Sequence, residues 1–280
     1  MKYYKDRIYL NISGFFFCLH FRRSRLAFQK EKIKKEILNN YSGFITNEVP
    51  TKIDFEIEFI NRLSYQLLHD RKNNLQYVSI ARNKPGSSSI SIFYQTSIYQ
   101  FQLILRDILL KLLSKNKGFF LHASANNYHG RAILFTGHPN AGKSTAMIFL
   151  HDKYQALTDD SAIIKKEKGK FYFYQTPMTE KAFWIKKTSK RYEIDKIFFL
   201  RKADYFKIEK ITDAECFSKL LIEQFWTKNK TYMREEIKTV LEFISQFKNF
   251  NLMYFAKDKN KLLKLLTRRE NSMVHSFNKN

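Results

Sequence analysis

The run from Gly137 to Thr145 carries the residue types and the spacing of a loop that binds phosphates. It reads G-H-P-N-A-G-K-S-T and matches the pattern GxxxxGK[ST]. In such a loop the glycines let backbone N–H groups curl around the phosphates of a nucleotide, the lysine reaches the outer phosphates, and the serine hydroxyl ligates Mg²⁺. The residues predicted to contact a nucleotide are Gly137, His138, Pro139, Asn140, Ala141, Gly142, Lys143, Ser144 and Thr145.

The residues on either side of this run predict the elements that must hold it. Arg131–Thr136 is a short apolar strand that leads into the loop, and Ser144–Leu150 continues as a helix whose N-terminal end attracts anions. Asn140 occurs where many such loops have a second glycine. Asn adopts left-handed backbone conformations more readily than other non-glycine residues, so the loop can still close around a phosphate.

Two further features lie close to the loop in the sequence. His122 falls within Phe119–Ala125, which we predict to be one strand, and Asp159 and Asp160 end a second predicted strand shortly after Lys143. The spacing leaves room for one helix and one turn, so the carboxylates are expected to return beside the loop. The simpler alternatives are a buried, hydrogen-bonded histidine and an acidic turn.

Composition indicates a globular chain with no membrane segment. The 280 residues are 44% hydrophobic and 16% aromatic, and the apolar stretches are too short or too interrupted to span a bilayer. No signal peptide is recognisable, so we expect a cytoplasmic protein. Cys18 and Cys216 are predicted to be buried apolar residues and not a disulfide pair.

The net charge of +24 raises the alternative of a nucleic-acid partner. The lysines are scattered along the chain and accompany no recognisable nucleic-acid-binding motif. A lysine-rich, solvated surface is therefore the favoured interpretation.

Periodicity divides the chain into a mostly β region over residues 1–97 and an α/β region over residues 98–280. In the first region, strands over 75–80 and 89–94 are predicted to form a hairpin about the turn at 83–86. The second region begins with a helix over 98–113 and has later helices over 214–226 and 234–247.

The histidine, the loop and the acidic pair together resemble the HPr kinase/phosphorylase family, in particular its smaller members associated with peptide modification. The resemblance covers about residues 118–164. It implies an α/β fold with a carboxykinase-like, HPr kinase C-terminal-like P-loop core and a mostly β N-terminal region. It also implies ATP and Mg²⁺ as cofactors and phosphorylation of a hydroxyl, most simply serine, on a protein or peptide.

The resemblance also implies roles for individual residues. His122, Lys143 and Asp160 would be catalytic, with His122 near the transferred phosphate and Asp160 as the general base. Ser144 and Asp159 would bind the metal ion. The chain lacks a recognisable match for the family's metal-binding glutamate and for the arginine-bearing loop associated with phosphorolysis.

Two other functions remain as alternatives to the kinase. One is a non-catalytic switch that binds ATP to drive assembly, and the other is a basic P-loop protein associated with nucleic acid. The sequence leaves open whether the protein forms a homo-oligomer, and no membrane partner is expected. Asp160 discriminates between kinase and switch, because only a kinase needs a base that faces an acceptor.

Overall fold

The computed structural model describes residues 6–25, 27–61, 67–70, 75–78, 81–83, 87–224 and 230–266. The chain is a mixed α/β protein that divides into two compact units, Met1–Leu109 and Leu110–Asn280. The division between the units falls inside the second helix. The predicted boundary between residues 97 and 98 stays a prediction.

The first unit is built on a five-stranded sheet in the order β1-β2-β3-β7-β6. Residues alternate between buried and partly exposed along β3, as expected for a sheet with one covered face. A separate pair is formed by β4 and β5. The elements of this part of the chain are β1 (Arg7–Ile12), β2 (Phe15–Phe21), α1 (Ala27–Asn40), a 3₁₀ turn (Ser42–Phe44), β3 (Phe55–Ile60), β4 (Leu67–Asp70), β5 (Leu75–Val78), β6 (Ala81–Asn83), β7 (Ser89–Phe93) and α2 (Ile98–Lys115).

Aromatic side chains form much of the core of the first unit. Phe21 stacks on Phe59 with ring centroids 4.7 Å apart, and Phe101 of α2 contacts both Phe59 and Tyr41. All four rings are almost completely buried. Such contacts add specific geometry to the burial of large apolar surfaces, so α2 has a defined position on the sheet.

The second unit contains a nine-stranded sheet with the path β11-β9-β10-β14-β13-β12-β8, to which β16 and then β15 are added beside β14. Strand β14 is long enough to pair with β13 through its first residues and with β10 and β16 through its later ones. The elements are β8 (Gly118–Leu121), β9 (Ala123–Tyr128), β10 (Arg131–Thr136), α3 (Lys143–Leu150), β11 (Ala156–Thr158), β12 (Ala162–Glu167), β13 (Lys170–Gln175), β14 (Arg191–Lys202), β15 (Lys207–Lys210), α4 (Asp213–Gln224), α5 (Lys230–Gln246) and β16 (Phe250–Phe255).

Helices cover both faces of this sheet because its central strands are apolar on both sides. Along β10, Leu134 belongs to a core cluster that contains residues of α4 and α5. Its neighbours Ile133 and Phe135 belong to a second cluster, with residues of α3 and of the helical residues 259–266. The alternation of side chains along a strand therefore fixes α3 to one face.

Three chain segments meet at one edge of this sheet. Strand β9 is antiparallel to both β10 and β11, with Thr136 opposite Ala123 and Thr158 opposite Ala125. The start of β9 and the ends of β10 and β11 consequently lie at the same edge. The residues that follow Thr136 and Thr158, and His122 before β9, are thereby brought to one place.

Several sequence predictions are confirmed and two are wrong. Strand β10 and helix α3 lie where predicted, and α4 and α5 match the two later helices, with α5 beginning four residues before its predicted start. The last two residues of the first of these predictions, 225 and Trp226, lie outside the described residues. The strand predicted over 119–125 is broken at His122, because β8 pairs with β12 whereas β9 pairs with β10 and β11.

The hairpin predicted between 75–80 and 89–94 is the second error. Strand β5 pairs with β4, and β7 pairs with the shorter β6, which lies nearer to the turn. Residues 79, 80 and 84–86 of that prediction lie outside the described residues.

Both cysteines are buried and free, as predicted, and burial raises the pKa of each thiol, that of Cys216 to about 12. Across the described part of the chain, no helix is long and apolar enough to cross a membrane.

Candidate functional site

The loop between β10 and α3 (residues 137–142) is shaped by three residues with positive φ. Gly137 has φ 141°, Asn140 has φ 64° and Gly142, the N-cap of α3, has φ 106°. Asn140 therefore adopts the left-handed conformation that its residue type favours, in agreement with the sequence prediction. The loop ends where the backbone N–H groups of the first helical turn have no partner within the helix.

Neighbouring elements require glycine at both ends of this loop. A Cβ atom on Gly142 would lie 2.9 Å from Cε1 of Phe255 in β16. A Cβ atom on Gly137 would lie 3.0 Å from the backbone oxygen of Leu200 in β14. Both distances are shorter than ordinary van der Waals contacts. The loop therefore lies directly against the two strands that neighbour it.

Lys143 is buried and folds back over the loop. Its Nζ donates to the backbone oxygens of Gly137, at 2.7 Å, and His138, at 3.1 Å. The ammonium group thus lies among loop carbonyls at the start of α3. These contacts hold a positive charge beside the backbone N–H groups that a helix N-terminus offers to an anion.

Two polar side chains of β9 hold α3 by its backbone. Ser124 Oγ donates to the backbone oxygen of Lys143 at 2.7 Å, and Asn126 Nδ2 donates to those of Met147 and Tyr154. Ser124 and Asn126 are completely buried. Neither residue was predicted from the sequence, although polar residues that alternate with alanine in a strand are a usable signal of such a role.

His122 and Asp160 contact each other at the sheet edge. His122 Nδ1 lies 2.8 Å from the backbone oxygen of Asp160 and 3.2 Å from its Oδ1. The hydroxyl of Thr136, the last residue of β10, donates to the backbone oxygen of His122 at 3.0 Å. The break between β8 and β9 therefore places the imidazole beside one of the two predicted carboxylates. The Asp160 side chain is 61% exposed and so is open to a second molecule.

Asp159 has the opposite environment. The residue is 6% exposed, and its Oδ1 is buried and has no hydrogen-bond partner among the described residues. Burying a carboxylate oxygen in this way is costly unless a cation or a donor compensates it. The two adjacent aspartates consequently differ in solvent exposure, since Asp159 is buried and Asp160 is exposed.

Glu180 and Lys187, which were not predicted from the sequence, support the turn that carries both aspartates. Glu180 accepts hydrogen bonds from the backbone nitrogen of Asp159, at 2.9 Å, and from the hydroxyl of Thr158. Lys187 Nζ lies 3.1 Å from Glu180 Oε1. Burial lowers the pKa of Lys187, whereas Glu180, Asp160 and Asp159 act in the opposite direction. No periodic pattern in the sequence connects these residues to the turn.

The donor atoms available for a metal ion are oxygens. Ser144 is exposed at the start of α3, and Asp159 has a buried oxygen without a partner among the described residues. These oxygens suit Mg²⁺, which commonly binds one or two protein oxygens together with phosphate and water. In the described ranges, no three His, Cys, Asp or Glu side chains cluster as a metal site.

Comparison with known proteins gives a matching family model and a weak likeness to solved structures. A family model described as SynChlorMet cassette protein ScmC matches residues 94–246, more than half of the chain. The chain is also similar to the structure of the Hpr(Ser) kinase/phosphatase from Coxiella burnetii, at 14% identity and a TM-score of 0.33, covering 57% of this chain and 94% of that chain. No curated protein sequence matches it.

Proposed function

The chain belongs to the family described as SynChlorMet cassette protein ScmC, and we propose that it transfers the γ-phosphoryl group of ATP to a serine hydroxyl of a protein or peptide. The observation that carries this proposal is the meeting of the β10–α3 loop with the His122–Asp160 pair at one sheet edge. Phosphoryl transfer requires a site that holds phosphate and a carboxylate that faces the acceptor, and these two features supply both.

The loop is proposed to bind the phosphates of ATP. Its left-handed residues would direct backbone N–H groups toward the phosphates, and α3 would add the positive end of its dipole. Lys143 would exchange its two carbonyl partners for the outer phosphate oxygens, where an ammonium group neutralises charge that develops during transfer.

Asp160 is proposed as the general base that takes the proton from the serine hydroxyl. Its exposure allows an acceptor to approach, and the contact with His122 Nδ1 fixes its orientation. Ser144 and the buried oxygen of Asp159 would hold Mg²⁺, which neutralises and orients phosphate oxygens when it is bound. The exposed and buried aspartates thus take separate tasks.

Three further predictions from the sequence form part of this proposal. They are a carboxykinase-like, P-loop core over residues 98–280, a mostly β region over residues 1–97, and a cytoplasmic location. The resemblance to the HPr kinase/phosphorylase family motivates them.

The experiment compares Lys143→Ala and Asp160→Asn with the parent protein. Affinity for MgATP is measured by calorimetry, and transfer is measured with γ-labelled ATP and a library of serine peptides. We expect Lys143→Ala to weaken ATP binding. Asp160→Asn should keep ATP affinity but lose about 10²- to 10⁴-fold in transfer rate, the usual contribution of a general base.

Asp195→Asn is a control for removing a carboxylate, because Asp195 pairs with Arg131 at the start of β10, at the opposite end of that strand from the loop. It should leave transfer unchanged. Robust transfer by Asp160→Asn would overturn the assigned mechanism. Tight ATP binding without transfer to any acceptor would favour the switch.

A further inference from the structure

Residues 181–186 expose two aromatic side chains and two lysines from a segment whose other residues are buried. Phe183 is 90% exposed and Trp184 is 44% exposed, whereas Ala182 and Ile185 pack in a small core cluster with residues of α3 and β11. The segment is therefore anchored. Its exposed rings are presented on a fixed support.

Both ends of this segment hold the turn that carries the acidic pair. Glu180 precedes it and accepts from the backbone nitrogen of Asp159, and Lys187 follows it and pairs with Glu180. The Trp184 ring also contacts His151, just after α3, with centroids 4.4 Å apart. The exposed rings are thus continuous with the candidate site through Glu180 and Lys187 and through α3.

The charge of this surface is positive. Lys181 and Lys186 are exposed, and neither has an acidic partner within 4.0 Å in the described part of the chain. The carboxylate nearest to them in sequence, Glu180, has a side chain that is only 1% exposed and is paired with Lys187. The whole chain carries a net charge of +24. A ligand that matches this surface combines apolar side chains with negative charge.

We propose that residues 181–186 dock the acceptor, and that the acceptor is an acidic peptide segment with a large apolar side chain close to the serine. This inference rests on the proposed function and specifies its substrate class. Aromatic side chains supply most of the binding energy in many peptide and protein interfaces, and unpaired lysines increase the rate of encounter with an acidic partner.

The test measures binding of labelled peptides by fluorescence anisotropy, so that it does not depend on transfer. The probe is a serine peptide rich in glutamate and leucine. Two matched peptides replace every glutamate by lysine or every leucine by glycine. We expect both replacements to weaken binding to the parent protein by about tenfold or more.

Two variants test the surface itself. Phe183→Ala and the double variant Lys181→Glu/Lys186→Glu should each weaken binding of the acidic peptide by about tenfold. Matched controls lie in the first unit: Phe28→Ala removes another exposed ring, and Lys32→Glu/Lys35→Glu makes the same charge change on α1. These controls should bind as the parent does.

ATP affinity, measured on the same variants, separates this proposal from the proposed function. Phe183→Ala should bind ATP normally, since its ring lies outside the β10–α3 loop. The docking surface would be overturned if the parent protein bound all three peptides equally. It would also be overturned if Phe183→Ala and Phe28→Ala bound the acidic peptide equally. Either result would leave the proposed kinase function intact. Selective peptide binding by a protein that binds no ATP would retain the surface and overturn the kinase.

Discussion

Glu180 is a buried carboxylate whose partners among the described residues are Thr158, Asp159, Ser161 and Lys187. It accepts hydrogen bonds from Thr158 and from the backbone of Asp159, and its charge is matched by Lys187. A buried ion pair gives little net stability over apolar residues, but removing one member leaves the other uncompensated. Glu180 is therefore better understood as a positioning residue than as a source of stability.

Substitutions of Glu180 and Lys187 should change the stability of the protein in a defined way. Glu180→Gln should lower the free energy of unfolding by about 3 kcal/mol, because the buried Lys187 ammonium loses its paired carboxylate and keeps only backbone oxygens. The double variant Glu180→Gln/Lys187→Met should recover most of this loss. Urea unfolding of the two variants measures both effects, with Glu235→Gln, which breaks an exposed pair with Lys238, as the control.

Transfer activity distinguishes positioning from stability in the same proteins. If Glu180 orients the acidic turn, the double variant regains stability but not transfer. Full recovery of both would show that the carboxylate serves the fold alone.

Glu236 provides a pH-dependent prediction outside the site. Burial raises its pKa from 4.5 to about 7. The folded protein keeps a proton that the unfolded chain loses between pH 4.5 and pH 7, so this residue makes stability fall as the pH rises through that window. Glu236→Gln should be more stable than the parent at pH 8 by about 3 kcal/mol.

At pH 4 the advantage of Glu236→Gln should disappear, because the glutamate is then protonated in both states. Thermal unfolding across this range checks the difference between the two proteins. A difference that does not vary with pH would contradict the prediction.

Among the elements, the β10–α3 loop has the strictest requirement for particular residue types. Gly142→Ala combines a positive φ with a contact between the new methyl group and the Phe255 ring, whereas a Cβ atom on Gly130, at φ 83°, would meet no described atom within 4 Å. Gly130→Ala should cost only the left-handed strain of about 1–2 kcal/mol. Gly142→Ala should cost more and abolish ATP binding.

Chemical unfolding and calorimetry with MgATP measure these effects. Equal losses of stability in the two variants, with ATP affinity kept, would show that the loop tolerates a side chain against Phe255.

The elements that sequence predicted well are those determined by nearby residues. Strand β10, the loop and α3 follow from a local run of apolar and glycine residues, and the left-handed Asn140 follows from its residue type. The break at His122 was missed because it depends on which strands pair with each half of the segment. Glu180 and Lys187 were missed because tertiary packing, not spacing, brings them to the turn.

At the scale of the whole molecule, the excess of positive charge is the main property that the candidate site does not explain. If the lysines are only a solvated surface, nucleic acids should bind weakly and without sequence preference, with a Kd of about 10⁻⁴ to 10⁻⁶ M at physiological salt. Anisotropy titrations with labelled DNA and RNA over a salt series test this. Nanomolar binding that resists salt would promote the nucleic-acid function over the kinase.

The contact between Gly142 and Phe255 also has a consequence for synthesis of the chain. Residues 137–142 emerge from the ribosome long before β16, yet the loop lies against Leu200 and Phe255. Strand β14 likewise needs β16 as a parallel neighbour, and such non-local pairings form late. Nascent chains that end before residue 250 should therefore be unable to retain nucleotide, and this capacity should arise only when β16 has left the exit tunnel.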